Sequence, residues 1–350
     1  MHPGPIDAPE TNPSPDTMGF MEFVTWAQNI ARAQPNIRLF CETRLSKAFK
    51  EIRPDMAVQN PAVTAHRCDL ARQWCDAYGV SPSKARMTLI CDGVRHGLAL
   101  IFGILAQQGR RVAIPRDVYP VYWMIASDAG VETLGIETFP DFDLEAVLGQ
   151  MISADISAML LPGPLKLHGR KWTDSELAQV TRWLRERGDR RLILDGIYSL
   201  GSPLDSQTNR LLETGQVIYL DSLSKGWLHE KIFGVVVVPE NDFDLYAETF
   251  RSLPARQENL VCAREMLTSH RHVPAMLAKR LAEKREALLT FAKETGLKAR
   301  PVERGYFVPI EGSVSSLLRN HNVLAIPATA FGSRLSRWSV ASALPVAGWR

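Results

Sequence analysis

In the first eighty residues, apolar positions recur three or four apart, most clearly in FMEFVTWAQNIARA (20–33) and DLARQWCDAYG (69–79). From Met18 to about Lys84 the pattern therefore reads as mostly helical. The rhythm then changes. Short apolar runs alternate with helical stretches: TLIC (88–91), RVAIP (111–115), VETLGIE (131–137), AMLLP (158–162), RLILD (191–195), VIYLDSL (217–223) and FGVVVVP (233–239). Strands alternating with helices predict βα units and a mainly parallel sheet. The runs are almost unbroken by polar residues, as expected when helices cover both faces of the sheet. A long amphipathic stretch at 273–295 predicts a helix stopped by Gly296. ERGYFVPIEG, a helical SVSSLLRNHN, the strand VLAIP and SRWSVASA follow, suggesting a smaller α+β unit.

These patterns divide the chain into four parts. Residues 1–17 form a proline-rich arm, expected to be loose until something packs on it. Residues 18–84 form a helical segment, 85–255 a large domain and 256–350 a small C-terminal domain. The fold class is α/β: a three-layer αβα large domain with a mainly parallel sheet, plus the small α+β domain. A length of 350 residues suits two domains.

Composition changes this picture little. The chain is 45% hydrophobic and 23% charged, with 41 Lys and Arg against 38 Asp and Glu. So small a surplus gives no argument for nucleic acid or a membrane surface. No apolar run is long enough to span a bilayer, and the N-terminus lacks a basic start followed by an apolar stretch. The five cysteines are odd in number, with no C-x-x-C pair. A disulfide framework or zinc site is not expected, no metal is expected, and a cytoplasmic location fits best. Cys91, beside a glycine turn, reads as a buried thiol rather than a reactive one.

In sheets of this kind ligands collect beyond the carboxyl ends of the strands. Polar signals sit at those ends: Gly93 after TLIC, Tyr119 after RVAIP, Asp195 closing RLILD, and Ser222 to Lys225 after VIYLD. The segment DSLSKGWLHEKIFG (221–234) is the most informative. A lysine between a serine and a glycine is by itself an ordinary loop residue. Asp195, in LDGIYSLG, reads either as a helix N-cap or as a buried carboxylate held for a cation. DGVRHGLAL (92–100) puts a glycine turn at a helix start, where free N–H groups and the helix dipole suit phosphate.

In this order the pieces resemble the fold-type I pyridoxal-phosphate (PLP) enzymes, aminotransferase class I/II, from about Leu70 to Ala341. The resemblance implies the following roles. Lys225 carries the cofactor as a Schiff base, Asp195 pairs with the pyridine nitrogen, and Tyr198 hydrogen-bonds the phenolic oxygen. Gly93, Val94 and Arg95 hold the phosphate together with Ser222, Ser224 and Lys231, the nearest match to the family's basic residue. Tyr119, in the aromatic–proline segment VYPVYW, stacks on the ring. Arg337, in the R-x-S-x-A pattern of SRWSVASA, binds the substrate carboxylate, with Arg334 competing. Where the family carries N-P-x-N-P-T-G, this chain has GPLKLHG (163–169), which places Lys166 beside the phenolic oxygen and His168 in place of the threonine. Trp123, His168, Trp227 and His229 are plausible pocket lining.

The activity implied is transfer of an amino group from an amino acid to a 2-oxo acid, by a homodimer. The altered 163–169 loop keeps open a second reaction on a specialised amino acid: a lyase, cyclase, decarboxylase or oxidase. A PLP-binding regulatory module is the third reading. It is opposed by the lack of a basic helix-turn-helix before Leu70.

Overall fold

The structure is a computed structural model and describes residues 14–54, 65–163, 165, 167–229, 233–251 and 256–346. Its strands in chain order are β1 (Arg38–Phe40), β2 (Thr88–Cys91), β3 (Arg111–Pro115), β4 (Glu132–Ile136), β5 (Ala158–Pro162) and β6 (Arg191–Asp195). They continue with β7 (Val217–Ser222), β8 (Gly234–Val237), β9 (Lys298–Ala299), β10 (Phe307–Glu311), β11 (Val323–Pro327) and β12 (Trp338–Ser342). Each strand of the large sheet lies within or coincides with one of the predicted apolar runs.

The large sheet has seven strands in the order β2-β8-β7-β6-β5-β3-β4. Pairings among β3, β4, β5, β6 and β7 are parallel, while β8 runs antiparallel to both β2 and β7. Two reversals return β2 to the common direction, so its carboxyl end opens on the same edge as those of β3, β5, β6 and β7. Helices cover both faces. On β6, Leu192 and Leu194 enter one core and Ile193 the other. This two-sided burial is why the strands read as continuous apolar runs.

The small sheet has five strands in the order β1-β11-β12-β10-β9. The helix His272–Glu294 ends before Gly296, which has φ +73°. It sets Leu288, Phe291 and Ala292 against Val308, Ile310 and Ala341 of the sheet. The strand β1 was not foreseen, nor was the two-residue β9. β1, inside the segment read as helical, pairs in parallel with β11. Three residues, Arg-Leu-Phe, are too short for a period, and only the distant edge of β11 makes them a strand.

The end of the arm, from residue 14, is packed against the small domain. Asp16 accepts hydrogen bonds from the Val314 amide (2.6 Å) and the Ser315 hydroxyl (2.8 Å), and its own carbonyl accepts from Thr329 (2.6 Å). The carboxylate thus satisfies a free donor at the start of the helix Val314–His321 and pins the arm to the small domain.

Candidate active site

The corner after β7 is built around Ser222. Its hydroxyl donates to the Phe233 carbonyl (2.9 Å) and accepts from the Ser224 amide (3.3 Å), capping the short helix Leu223–Gly226 that carries Lys225. With its proton committed to Phe233, Ser222 is a corner residue and not a free donor for phosphate. Ser224, whose hydroxyl lies 2.9 Å from that of Ser222, is the better placed of the two. The lysine helix is pressed against the turn after β6. A Cβ on Gly226 would lie 2.6 Å from the Gly201 nitrogen, so only glycine permits this approach. That packing brings Tyr198 under Lys225, whose Nζ stands 4.0 Å from the ring centroid.

Asp195 ends β6 with 1% of its surface exposed. One oxygen accepts the Ile197 amide (2.9 Å) and the other accepts the hydroxyl of Tyr122. Loss of solvent first, then the neighbouring carboxylate, pushes the Tyr122 phenol well above its usual range. Tyr122 therefore keeps its proton and serves as a fixed donor. Sequence reasoning missed this residue. The available signal was its place one turn after Tyr119 on the helix Val121–Asp128, although the motif alone names no partner for it.

The helix Gly93–Gln107 begins at the same edge, and Gly93 has φ +83°. Gly234 of β8 lies so close that a Cβ there would be 2.6 Å from the Gly93 Cα. The first turn offers the amides of Gly93, Val94 and Arg95, as an anion site requires. The guanidinium of Arg95 stands 5.8 Å from the ring centroid of Tyr119, and the ring of Phe20 lies 5.9 Å from it. Cys91 is buried, and burial pushes its thiol up to about 12, which leaves it inert, as expected from the sequence.

The structure thus gathers Gly93–Arg95, Tyr119, Asp195, Tyr198, Ser222, Ser224 and Lys225 at one edge of the sheet, while Lys166 and Lys231 lie outside the described residues. Arg337 is not brought to this group. Along β12, Trp338 and Val340 face the core shared with the large domain, whereas Ala341 faces the helix His272–Glu294. Strand alternation carries Arg337 away from the shared side, and it lines an exposed hollow with Lys298, Glu311 and His321. Arg334 lies 3.7 Å from Glu137, which also pairs with Arg116.

The residues expected as pocket lining are mostly spent on packing. Trp123 donates to the Pro115 carbonyl (3.2 Å) and Trp227 to that of Met266 (3.1 Å). His229 lies 3.6 Å from the Cys262 sulfur. The His168 ring bonds the Thr138 carbonyl, and burial lowers its basicity, so a neutral imidazole anchors the turn at 167–170 there. A hollow of about 780 Å³ runs along edge strand β2 beside Phe243 and Phe250. It lies apart from Lys225 and Asp195, and the chemistry follows those two residues rather than its size.

The Asp195–Tyr122 pair, a lysine above a phenol, an aromatic after β3 and a helix start are a donor set suited to PLP. A buried carboxylate answers a ring nitrogen, an amine answers an aldehyde, and free amides answer a phosphate.

No protein-family description matches the sequence, and no curated protein matches it. Solved structures do match. The PLP-bound C–S lyase of Staphylococcus hominis aligns over 87% of this chain and 84% of its own, with TM-score 0.66 and 16% identity. Aspartate aminotransferase of Thermus thermophilus with maleate aligns over 93% and 92%, at 0.67 and 17%. Substrate-bound BacF of Bacillus subtilis aligns over 96% and 94%, at 0.67 and 18%. The chain has the fold these proteins share, a mixed α/β architecture of the PLP-dependent transferase type.

Proposed function

We propose that this chain is a PLP-dependent enzyme that holds its cofactor on Lys225 and transfers an amino group from an amino acid to a 2-oxo acid. The observation that carries the reading is the meeting of Lys225, Tyr198 and the buried Asp195 at the carboxyl ends of adjacent strands. The solved structures sharing the fold support the cofactor class, since they include a PLP-bound lyase and aspartate aminotransferases.

When bound, PLP supplies an electron-poor ring that accepts the pair left as a bond at the substrate α-carbon breaks. The protein's own groups do the rest. Lys225 would be the nucleophile that holds the cofactor aldehyde and the base that moves the substrate α-proton. Asp195 holds the ring nitrogen protonated. Tyr122 donates to Asp195 and fixes its orientation toward the site. Tyr119 would cover the ring, Tyr198 would donate to the phenolic oxygen, and the Gly93–Arg95 amides with Ser224 would hold the phosphate. The substrates are small molecules. As the resemblance implies, the protein would act as a cytoplasmic homodimer; among the described residues no helix is long and apolar enough to cross a membrane.

A lyase-type reaction is the second reading. Arg337 stands away from Lys225, so the resemblance's carboxylate clamp is not assembled in the expected way. The two readings separate on adding single amino acids, without any oxo acid, to the PLP-loaded protein. Transamination discharges the visible Schiff-base band and yields about one 2-oxo acid per subunit without ammonia. A band that persists while ammonia accumulates establishes the lyase instead. Absence of the band defeats both.

A further inference from the structure

The two faces of β7 meet different neighbours. Val217 and Tyr219 enter the core that holds Trp74 and Tyr78 of the helix Arg67–Tyr78, and Ile218 and Leu220 enter the core that holds Tyr122. Strand alternation puts Asp221 on the first face, behind the sheet from the Asp195–Tyr122 pair. On that side the Trp74 and Tyr78 rings stack at 4.7 Å, and Tyr219 lies 6.1 Å from Trp74. Asp221 and these three rings are all buried.

Four polar atoms come together there: Asp221 Oδ2, the Tyr78 and Tyr219 hydroxyls and the Trp74 indole nitrogen. Each is buried, and none has a hydrogen-bond partner among the described residues. Such orphans are few in folded proteins and costly to keep. These four are complementary: an indole that donates, two phenols that donate and accept, and a carboxyl. Loss of solvent, and then the charge of Asp221, pushes both phenols well above their usual range, so both keep their protons beside it.

The other Asp221 oxygen accepts the Ser222 amide at 2.6 Å. This bond replaces one the sheet cannot make. β6 ends with Asp195 opposite Leu220, and the Gly196 amide bonds the Leu220 carbonyl. Two residues on, the Ser222 amide points the same way but runs past the end of β6. The Asp221 carboxyl satisfies it at the residue that caps the Lys225 helix. The Tyr219 hydroxyl is packed against Gly196, where it leaves no room for a Cβ, so the same cluster also backs the turn after Asp195.

We propose that Asp221, backed by Tyr78 and Tyr219, is a positioning residue that sets the corner carrying Lys225 against the turn carrying Asp195. The proposal rests on the PLP reading above, and the test separates the two. The titratable groups facing Asp221 are Tyr78, Tyr219 and, from β6, Asp195. Asp221→Asn keeps a donor and an acceptor in the same shape, and Asp221→Leu keeps the size with neither. Each protein is titrated with PLP. The visible band gives an apparent Kd and a pH midpoint, which depends on where the lysine nitrogen stands over Tyr198. Asp221→Leu should weaken PLP at least about tenfold and move the pH midpoint. Asp221→Asn should restore both, with a Kd within about threefold of wild type. A merely structural role would lower the urea midpoint of the cofactor-free protein and leave the pH midpoint in place. An unmoved pH midpoint in Asp221→Leu, or Asp221→Asn no better than Asp221→Leu, overturns the proposal and leaves the cofactor reading intact. If Asp221→Leu fails to fold, Tyr219→Phe, which loses only a hydroxyl, should weaken PLP about threefold and move the midpoint. Wild-type values there overturn the proposal equally. No band in the wild-type protein with PLP overturns the cofactor reading and the proposal with it.

Discussion

Two carboxyl groups sit on neighbouring strands, and their surroundings give them different work. Asp195 receives an amide and a phenol. Asp221, on β7, is fully buried and has the Ser222 amide 2.6 Å away. Loss of solvent pushes its carboxyl well above the usual range, the Ser222 amide opposes this, and the charge of Asp195 adds to it. A raised pKa means that the folded protein holds a proton the unfolded chain releases. Stability from this group is therefore full below the unfolded value, about 3.9, and declines as pH rises toward the folded value. Asp221→Asn removes that decline. Urea unfolding of the cofactor-free protein from pH 5 to 8 should show the variant gaining about 1.4 kcal/mol on wild type per pH unit while Asp221 stays protonated in the fold. Parallel curves would show that Asp221 is ionised in the native state. Neither Asp221 nor Tyr122 drew notice in the sequence. Their roles depend on which face of a strand or helix meets another element, and a single chain read in order does not contain that.

At the scale of elements the corner carrying Lys225 depends on glycine, and the comparison of two glycines tests this. A methyl at Gly226 would strike the Leu200–Gly201 backbone at 2.6 Å, whereas nothing lies within 4 Å of one at Gly103 in the helix Gly93–Gln107. Gly226→Ala should cost about 1–3 kcal/mol by overpacking and loosen cofactor retention. Gly103→Ala should be neutral or stabilising by up to about 1 kcal/mol. Equal urea midpoints for the two variants would mean that the corner yields freely. The same scale shows what was legible. The seven large-sheet strands stood out because two-sided burial leaves an apolar run, and the long helix because its period and Gly296 agree. β1 was hidden, since its pairing with β11 spans most of the chain. The facing of Arg337 was hidden as well. A motif carries a residue type to the right strand, but a strand's two faces differ by one position, and here the shared core takes Trp338.

At the scale of the molecule, the site exists because both sheets and the N-terminal helix converge on one edge. The sequence order of the motifs was enough to bring Gly93, Tyr119, Asp195, Tyr198 and Lys225 together, because parallel strands deliver their carboxyl ends to a common edge. The packing of the N-terminal helix on the small domain was not legible, as Phe20 and Phe331 stand more than three hundred positions apart and meet only in the assembled fold. The central claim is that Lys225 is the covalent anchor, and borohydride reduction of the PLP-loaded protein followed by peptide mass mapping tests it most directly. The account predicts a phosphopyridoxyl group on the peptide containing Lys225, and its loss with retained fold in Lys225→Ala. The same modification on another lysine, or its persistence in Lys225→Ala, would contradict it.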